Sequence, residues 1–294
     1  MPKIYTLMFW TSLSLALISL ILTFTFGLRL GVDFTGGSVL ELQFSQPPAM
    51  EEIRNVLASQ IADPELNPTG NGGVIIKTHE LTEAQHQAVL TTLNAAFPKA
   101  GLQEEKFDSV GPVIGNELKR RSITAIVVVL LAVITYIAFV FRKLGRTTSP
   151  WAMGLSAIVA LFHDIVIPVG VFAVLGHYFN ISISAVFLAA ALTILGYSVS
   201  DSVVIFDRVR ENILRSSFKG DIGAVVHRSI LQTLARSLNT VMTTLISLFA
   251  IFIFGGESIK YFALALIIGI FLGAYSSIFV ASPLLVWWTQ KRKA

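Results

Sequence analysis

The sequence predicts an α-helical membrane protein with six transmembrane helices and one small α/β domain, ferredoxin-like in its element order, between the first two. Three observations predict it. Of 294 residues, 54% are hydrophobic and only 14% are charged, and mean hydropathy is +0.72, far from a soluble globular chain. The apolar residues gather into six uncharged or nearly uncharged stretches. One long polar segment, roughly 30–121, interrupts them and carries strand and helix periodicities of its own.

The first apolar stretch, 5–28, follows a single Lys3. It is longer than a signal-peptide core and no small-x-small cleavage site follows, so residues 1–30 read as an uncleaved signal anchor. Further stretches lie near 122–141, 151–176, 183–206, 238–255 and 261–288. Each can cross a hydrocarbon core of about 30 Å at about 1.5 Å per residue.

Lysine and arginine set the orientation. With the N-terminus inside, the inner segments hold Lys3, Arg142, Lys143, Arg146, Arg208, Arg210, Arg215, Lys219, Arg228, Arg236, Lys291, Arg292 and Lys293, whereas the two short outer loops hold Lys260 alone. Both termini are therefore expected to be cytosolic and residues 31–121 extracytoplasmic.

Within 31–121, "SVLELQF" (38–44) alternates Leu40, Leu42 and Phe44 with Glu41 and Gln43, as a half-buried strand does. Pro47 and Pro48 precede a helix, "MEEIRNVLASQIA", and "DPELNPTGNGG" (63–73) reads as turn. "VIIKTHEL" is a second strand. Thr82 and Gln85 form a capping box for a helix reaching Phe97, and "EEKFDSV" (104–110) is a third strand. The βαβαβ order implies a ferredoxin-like half-domain whose sheet has an edge to offer. Residues 122–294 hold the other five helices. They include an amphipathic cytosolic connector, 207–237, expected along the membrane surface or as a solvated helical linker.

Ionisable residues inside apolar helices are costly, and so they mark function or a partner. Asp201 sits in the fourth span among Tyr197, Ser198, Ser200 and Ser202. Asp164 sits in the third, after His163 and four residues before Pro168. Arg236 opens the fifth span and heads a polar face formed by Asn239, Thr240, Thr243, Thr244 and Ser247 at helical spacing. The functional reading is a proton or ion path in which Asp201 is loaded and unloaded with help from Arg236. The plainer readings are a packing ion pair, a snorkelling arginine, and an Asp164 that ties down carbonyls freed by Pro168.

Other chemistry finds little support. "GVDFTGG" (31–37) lacks the GK[ST] of a phosphate loop and reads as a tight turn, and Gly269 and Gly273 form a GxxxG packing motif. The histidines show no metal spacing and no hydrolase triad appears, so no cofactor and no enzymatic role are expected. The chain has no cysteine, which excludes disulfides. No basic stretch is interleaved with aromatics, which argues against nucleic acid.

"GVDFTGGSVLELQF" after the first span and "GYSVSDSVVIFDRVREN" closing the fourth resemble the SecF family of the bacterial Sec protein-export machinery. "LFHDIVIPVG" and "HRSILQTLARSLNTVMTTLI" are similar to that family as well. The motif positions are Gly31, Asp33, Phe34, Gly36, Gly37, Gly196, Asp207 and Arg208. Pro168, His227 and Ser237 depart from the usual pattern. The resemblance implies an RND-type membrane fold. It also implies partnership with a SecD-like subunit, association with the SecYEG channel and SecA, contact with translocating unfolded polypeptide, and use of the proton-motive force. Asp201 would be the essential acid, with Arg236 as companion. The competing readings are half of an RND-type exporter of lipids or small molecules, and a structural membrane scaffold.

Overall fold

The computed structural model describes residues 1–61, 64–69, 72–142, 149–215 and 221–291. Lys143, Arg146, Lys219, Arg292 and Lys293 of the orientation argument, and parts of the 63–73 turn, lie outside them. In chain order the elements begin with α1 (Lys3–Phe26), α2 (Val32–Thr35), β1 (Gly37–Phe44), α3 (Met50–Leu57) and β2 (Glu65–Pro68). There follow β3 (Gly73–Thr78), α4 (Glu83–Ala96), β4 (Leu102–Val110), α5 (Pro112–Val140) and α6 (Pro150–Phe179). The last are α7 (Ala185–Arg215), α8 (Ile222–Phe254), α9 (Glu257–Ser276), a π-helical turn (Ser277–Ala281) and α10 (Ser282–Lys291). The chain divides into a helical unit (1–28, 124–179, 186–294) and an α/β unit (29–123, 180–185).

In the α/β unit the sheet order is β2-β3-β1-β4 and every pairing is antiparallel. With helices α3 and α4, the βαββαβ order is the full ferredoxin-like arrangement, one strand more than the half-domain expected from the sequence. The added strand, β2, lies inside the stretch read as turn. It has four residues, none buried, and it ends in Pro68, which an edge strand tolerates because that side of the ladder needs no donor. Leu40, Leu42 and Phe44 of β1 are buried against Ile53 and Leu57 of α3 and Val89 and Leu93 of α4. The capping box is present, with Thr82 N–H donating to Gln85 Oε1 (2.9 Å) and Gln85 N–H to Thr82 Oγ1 (3.4 Å). The helix after Pro47 and Pro48 is shorter than expected and ends at Leu57.

Six helical stretches are long and apolar enough to cross a membrane, and the protein is a multi-pass membrane protein. Half of the apolar window of α6 and 67% of that in 259–291 are buried, against 11% in α1 and 6% in α5, so α6 and α9–α10 form the centre of the unit. Its main core gathers Tyr5 and Phe9, Ile137 and Phe141, Phe206, Val209 and Ile213, Val226 and Ile230, and Leu285.

Those members explain why the connector at 207–237 is not a separate surface helix. Residues through Arg215 continue α7, and Ile222 onward begins α8. Val209, Ile213, Ile222, Val226 and Ile230 bury their apolar side in that core rather than on a bilayer surface. Polar groups seal the hairpin. Arg208 Nε donates to Gln232 Oε1 (2.7 Å), and Asn212 Nδ2 donates to Ser229 Oγ (2.8 Å) and Gln232 Oε1 (2.9 Å). The motif residue Arg208 also pairs with Glu211, and Asp207 with Arg210 at 3.2 Å.

Candidate functional site: a carboxylate and serine network

Asp164, on α6, is completely buried. Its Oδ2 accepts hydrogen bonds from Ser198 Oγ on α7 (2.6 Å) and Ser276 Oγ on α9 (2.7 Å), and its Oδ1 lies 2.9 Å from His163 Nδ1. The carboxylate therefore does not tie down the backbone near Pro168. A carboxylate accepts, and so do the carbonyls that Pro168 frees.

Asp201 lies one turn further along α7 from Ser198. Its Oδ1 accepts a short hydrogen bond from Ser237 of α8. Its Oδ2 is buried with no hydrogen-bond partner among the described residues. Serine hydroxyls gather between the two acids, without one continuous hydrogen-bonded chain among the described residues. Ser276, on Asp164, is followed by Ser277, whose Oγ is 2.8 Å from Ser202 Oγ, and Ser202 follows Asp201. Ser276 and Ser277 stand where α9 opens into the π-helical turn, a local widening of the helix that recurs at functional sites.

The companion is Ser237, not Arg236. Neighbouring residues on a helix point about 100° apart, so turning Ser237 toward Asp201 turns Arg236 away. Arg236 is exposed, and among the described residues no ion pair joins it to Asp201. Asn239, Thr240 and Thr243 are exposed too. The threonines return their hydroxyls to their own helix, Thr240 to the Arg236 carbonyl and Thr243 to that of Asn239, both at 2.9 Å. Thr244 Oγ1 lies 3.5 Å from Tyr197 hydroxyl. Gly196 and Ser200 are exposed on α7. The polar stripe and these small residues therefore lie on a face that this chain itself leaves uncovered.

The "GVDFTGG" residues serve the α/β unit. Asp33 Oδ2 accepts from the N–H of Ala185, the first residue of α7, at 2.7 Å, and Gly31 N–H donates to Ile183 carbonyl at 2.7 Å. Phe34 is buried. Gly36 has φ +79° and a Cβ there would stand 2.7 Å from Pro112 Cα, while Gly37 has φ +129°, so both the conformation and the close approach require glycine.

Of the network, His163, Ser237, Ser276 and Ser277 carried no sequence signal as acid partners. Ser237 showed only as a departure from a family pattern, and the serine doublet at 276–277, two hydroxyls together in an apolar span, is a signal that could have found the others. Each hydroxyl can donate and accept at once, so the serines can reorient around either acid. Among the described residues no three His, Asp or Glu side chains gather as metal ligands.

Apolar helices built around two carboxylates held by serine hydroxyls, with a βαββαβ unit inserted after the first, define a polytopic membrane protein with an intramembrane acid site. The chain belongs to the SecD/SecF family. Residues 89–291 match the model of the protein export membrane protein SecD/SecF C-terminal region, and residues 21–48 match the SecD/SecF GG motif. The protein translocase subunit SecF of Thermobaculum terrenum is 42% identical over 277 residues, covering 90% of this chain and 86% of that one. That of Anaerolinea thermophila is 38% identical, covering 96% and 91%. Among solved structures, SecDF from Thermus thermophilus superimposes with a TM-score of 0.81 at 32% identity over 97% of this chain. A super-membrane-facing form of SecDF gives 0.67 at 33% identity. The chain spans 38% of the length of each of these SecDF chains.

Proposed function

We propose that this protein is a SecF-type accessory subunit of the preprotein translocase. It sits in the bacterial cytoplasmic membrane with both termini cytosolic. It works with a SecD-like partner beside the SecYEG channel and SecA, and uses the proton-motive force to promote export of unfolded polypeptide. Family membership and the relatives' names support the translocase role. The SecDF structures, in which this chain matches 38% of a longer one, support the partner. The exposed polar face of α8, beside Gly196 and Ser200, is where such a partner would lie, because polar side chains left in lipid are costly.

One observation carries the proton coupling. Asp201 has one oxygen held by Ser237 and, among the described residues, one buried oxygen without a hydrogen-bond partner, in a serine-rich seam that also holds Asp164. Gain of a proton turns an acceptor-only group into a donor and so rearranges the hydrogen bonds around it. A proton crossing the membrane supplies about 2.3 kcal/mol per 100 mV, enough to bias a two-state movement more than tenfold. The α/β unit, with an exposed β2 edge, would grip the emerging chain.

The test is preprotein translocation into inverted vesicles with and without an imposed gradient. Asp201→Asn keeps size and removes the titrating proton, so it is expected to assemble normally and to abolish the gradient-dependent part. Full stimulation in Asp201→Asn would leave the carboxylate a packing element only.

A further inference from the structure

Within the α/β unit a pocket of about 450 Å³ is lined by Arg29, Gly31, Glu65, Lys77, His79 and Ser182, among others. Two cations face it and neither is fully neutralised there. Arg29 Nη1 lies 2.9 Å from Glu65 Oε1, and about half of each side chain remains exposed. Lys77 Nζ donates to Ser182 Oγ at 3.2 Å and to the Asn180 carbonyl at 3.5 Å, both uncharged acceptors. Burial pushes the Lys77 ammonium down from the ordinary lysine range, with Glu65 opposing and Arg29 adding to the effect. An anion in the pocket would relieve both the desolvation and the repulsion between the two cations.

The position of the pocket in the chain narrows the kind of anion. Arg29 follows the end of α1 at Phe26 by three residues, and Ser182 follows the end of α6 at Phe179 by three. Three residues reach at most about 10 Å beyond a span, which keeps both within reach of the headgroup layer flanking the hydrocarbon core. A guanidinium and an ammonium converging from β3 and the end of the first span suit a phosphate, which the planar fork of Arg29 can bind through two oxygens while Lys77 supplies a point charge.

We propose that this pocket is a phosphate-binding site, with Arg29 and Lys77 as its ligands, and that it takes the headgroup phosphate of an anionic lipid such as phosphatidylglycerol. Glu65 holds Arg29 in place but competes with the ligand for it. That gives the three residues opposite signs. Removing Lys77 or Arg29 weakens binding, and neutralising Glu65 strengthens it.

The experiment uses the full chain in nanodiscs of mixed phosphatidylcholine and phosphatidylglycerol, with lipid retained after release counted by native mass spectrometry. A parallel arm titrates inorganic phosphate into detergent-solubilised protein. Lys77→Gln and Arg29→Gln are each expected to reduce binding about tenfold, the worth of one charge-assisted hydrogen bond. Glu65→Gln is expected to increase it, which no folding defect would do. Phosphatidylglycerol retention with no saturable response to inorganic phosphate identifies the lipid as the source, and the reverse pattern identifies free phosphate. Binding of neither probe, or binding equal in the wild type, Lys77→Gln and Glu65→Gln, overturns the site. The outcome is independent of gradient-driven export, so it stands or falls apart from the transport reading.

Discussion

Ser276 donates a 2.7 Å hydrogen bond to Asp164 at the last residue of α9, immediately before the helix widens into its π-helical turn. The same hydroxyl lies 3.2 Å from the Gly273 carbonyl one turn back. Ser276 therefore couples the geometry of that turn to the completely buried acid. A change in the charge of Asp164 changes what the serine can offer, and any shift of the turn changes what the acid receives.

The first prediction follows. Ser276→Ala removes one of the two hydroxyls on Asp164 Oδ2 and leaves a buried carboxylate under-satisfied, at a cost of about 1–3 kcal/mol. The midpoint of denaturant unfolding in detergent should fall accordingly. Asp164→Asn combined with Ser276→Ala should lose less than the two single changes added together, because they share one interaction. Strict additivity would mean that the serine does not serve the acid.

A second prediction concerns Lys77 and pH. Burial lowers its proton affinity in the folded chain below the unfolded value of about 10.4. Between the lowered value and about 10.4, the unfolded chain binds more protons, so stability rises with pH across that window. Below the window, at neutral pH, the charged lysine costs stability in full. Lys77→Met should accordingly raise the thermal midpoint at pH 7 and flatten the rise toward pH 10. A lower midpoint at pH 7 would show that the contacts with Ser182 and Asn180 outweigh the desolvation. A phosphate bound as proposed above would offset that cost.

Glu83 behaves in the opposite sense. It is solvent-exposed, and hydrogen bonds from Gln87 (2.8 Å) and His86 (3.3 Å) hold its carboxyl below the usual range. Its folded value is depressed, so its contribution is present above the ordinary glutamate pKa of about 4.3 and is lost as pH falls through the folded value. Glu83→Gln should reduce the acid sensitivity of α4, read as amide-exchange protection at pH 3 against pH 6. Unchanged acid sensitivity would assign those hydrogen bonds to packing alone.

The six spans, the capped helix and the inward alternation of β1 were legible in the sequence because each is written in a local period. Strand β2 was not. Its four residues owe their pairing to β3, and the proline and asparagine that read as turn are tolerated because the strand is an outer edge. The acids at 164 and 201 stood out because charge is rare in apolar helices. Their partners did not, because a serine in a span has many uses and the helix rotation that selects Ser237 over Arg236 is set by packing across three helices. The connector at 207–237 went astray for a related reason. An amphipathic pattern records that one face is buried, and it is silent on whether lipid or protein covers that face.

Orientation gives a fourth prediction. The lysine and arginine asymmetry places Ser59, exposed in the α/β unit, outside and Ala294, which lies beyond the described residues, inside. With no native cysteine in the chain, single cysteines at these positions should divide cleanly with an impermeant thiol reagent on intact cells. Position 59 should be labelled and position 294 protected. The reverse pattern would invert every statement made here about sides of the membrane.

The last prediction separates the inner packing of the chain from its outer face by means of two glycines. At Gly269, on α9, a Cβ would overlap the side chain of Ile194 on α7, with Cγ2 at 2.9 Å and its other atoms nearer still. Gly269→Leu should therefore overpack the chain itself, costing about 1–3 kcal/mol in unfolding. Gly196, on α7, has nothing within 4 Å of where its Cβ would stand. It is exposed, as is Ser200 one turn on, beside the uncovered stripe of Asn239, Thr240 and Thr243. Small residues on a lipid-embedded face let another helix come close. Gly196→Leu should leave the chain's own unfolding unchanged or slightly improved, by up to about 1 kcal/mol from helix propensity. Recovery of a SecD-like partner by co-purification should nevertheless fall, and gradient-stimulated translocation with it. If Gly196→Leu recovered the partner at the wild-type yield and kept its stimulation, the partner would have to lie elsewhere, and the polar face of α8 would need a different cover.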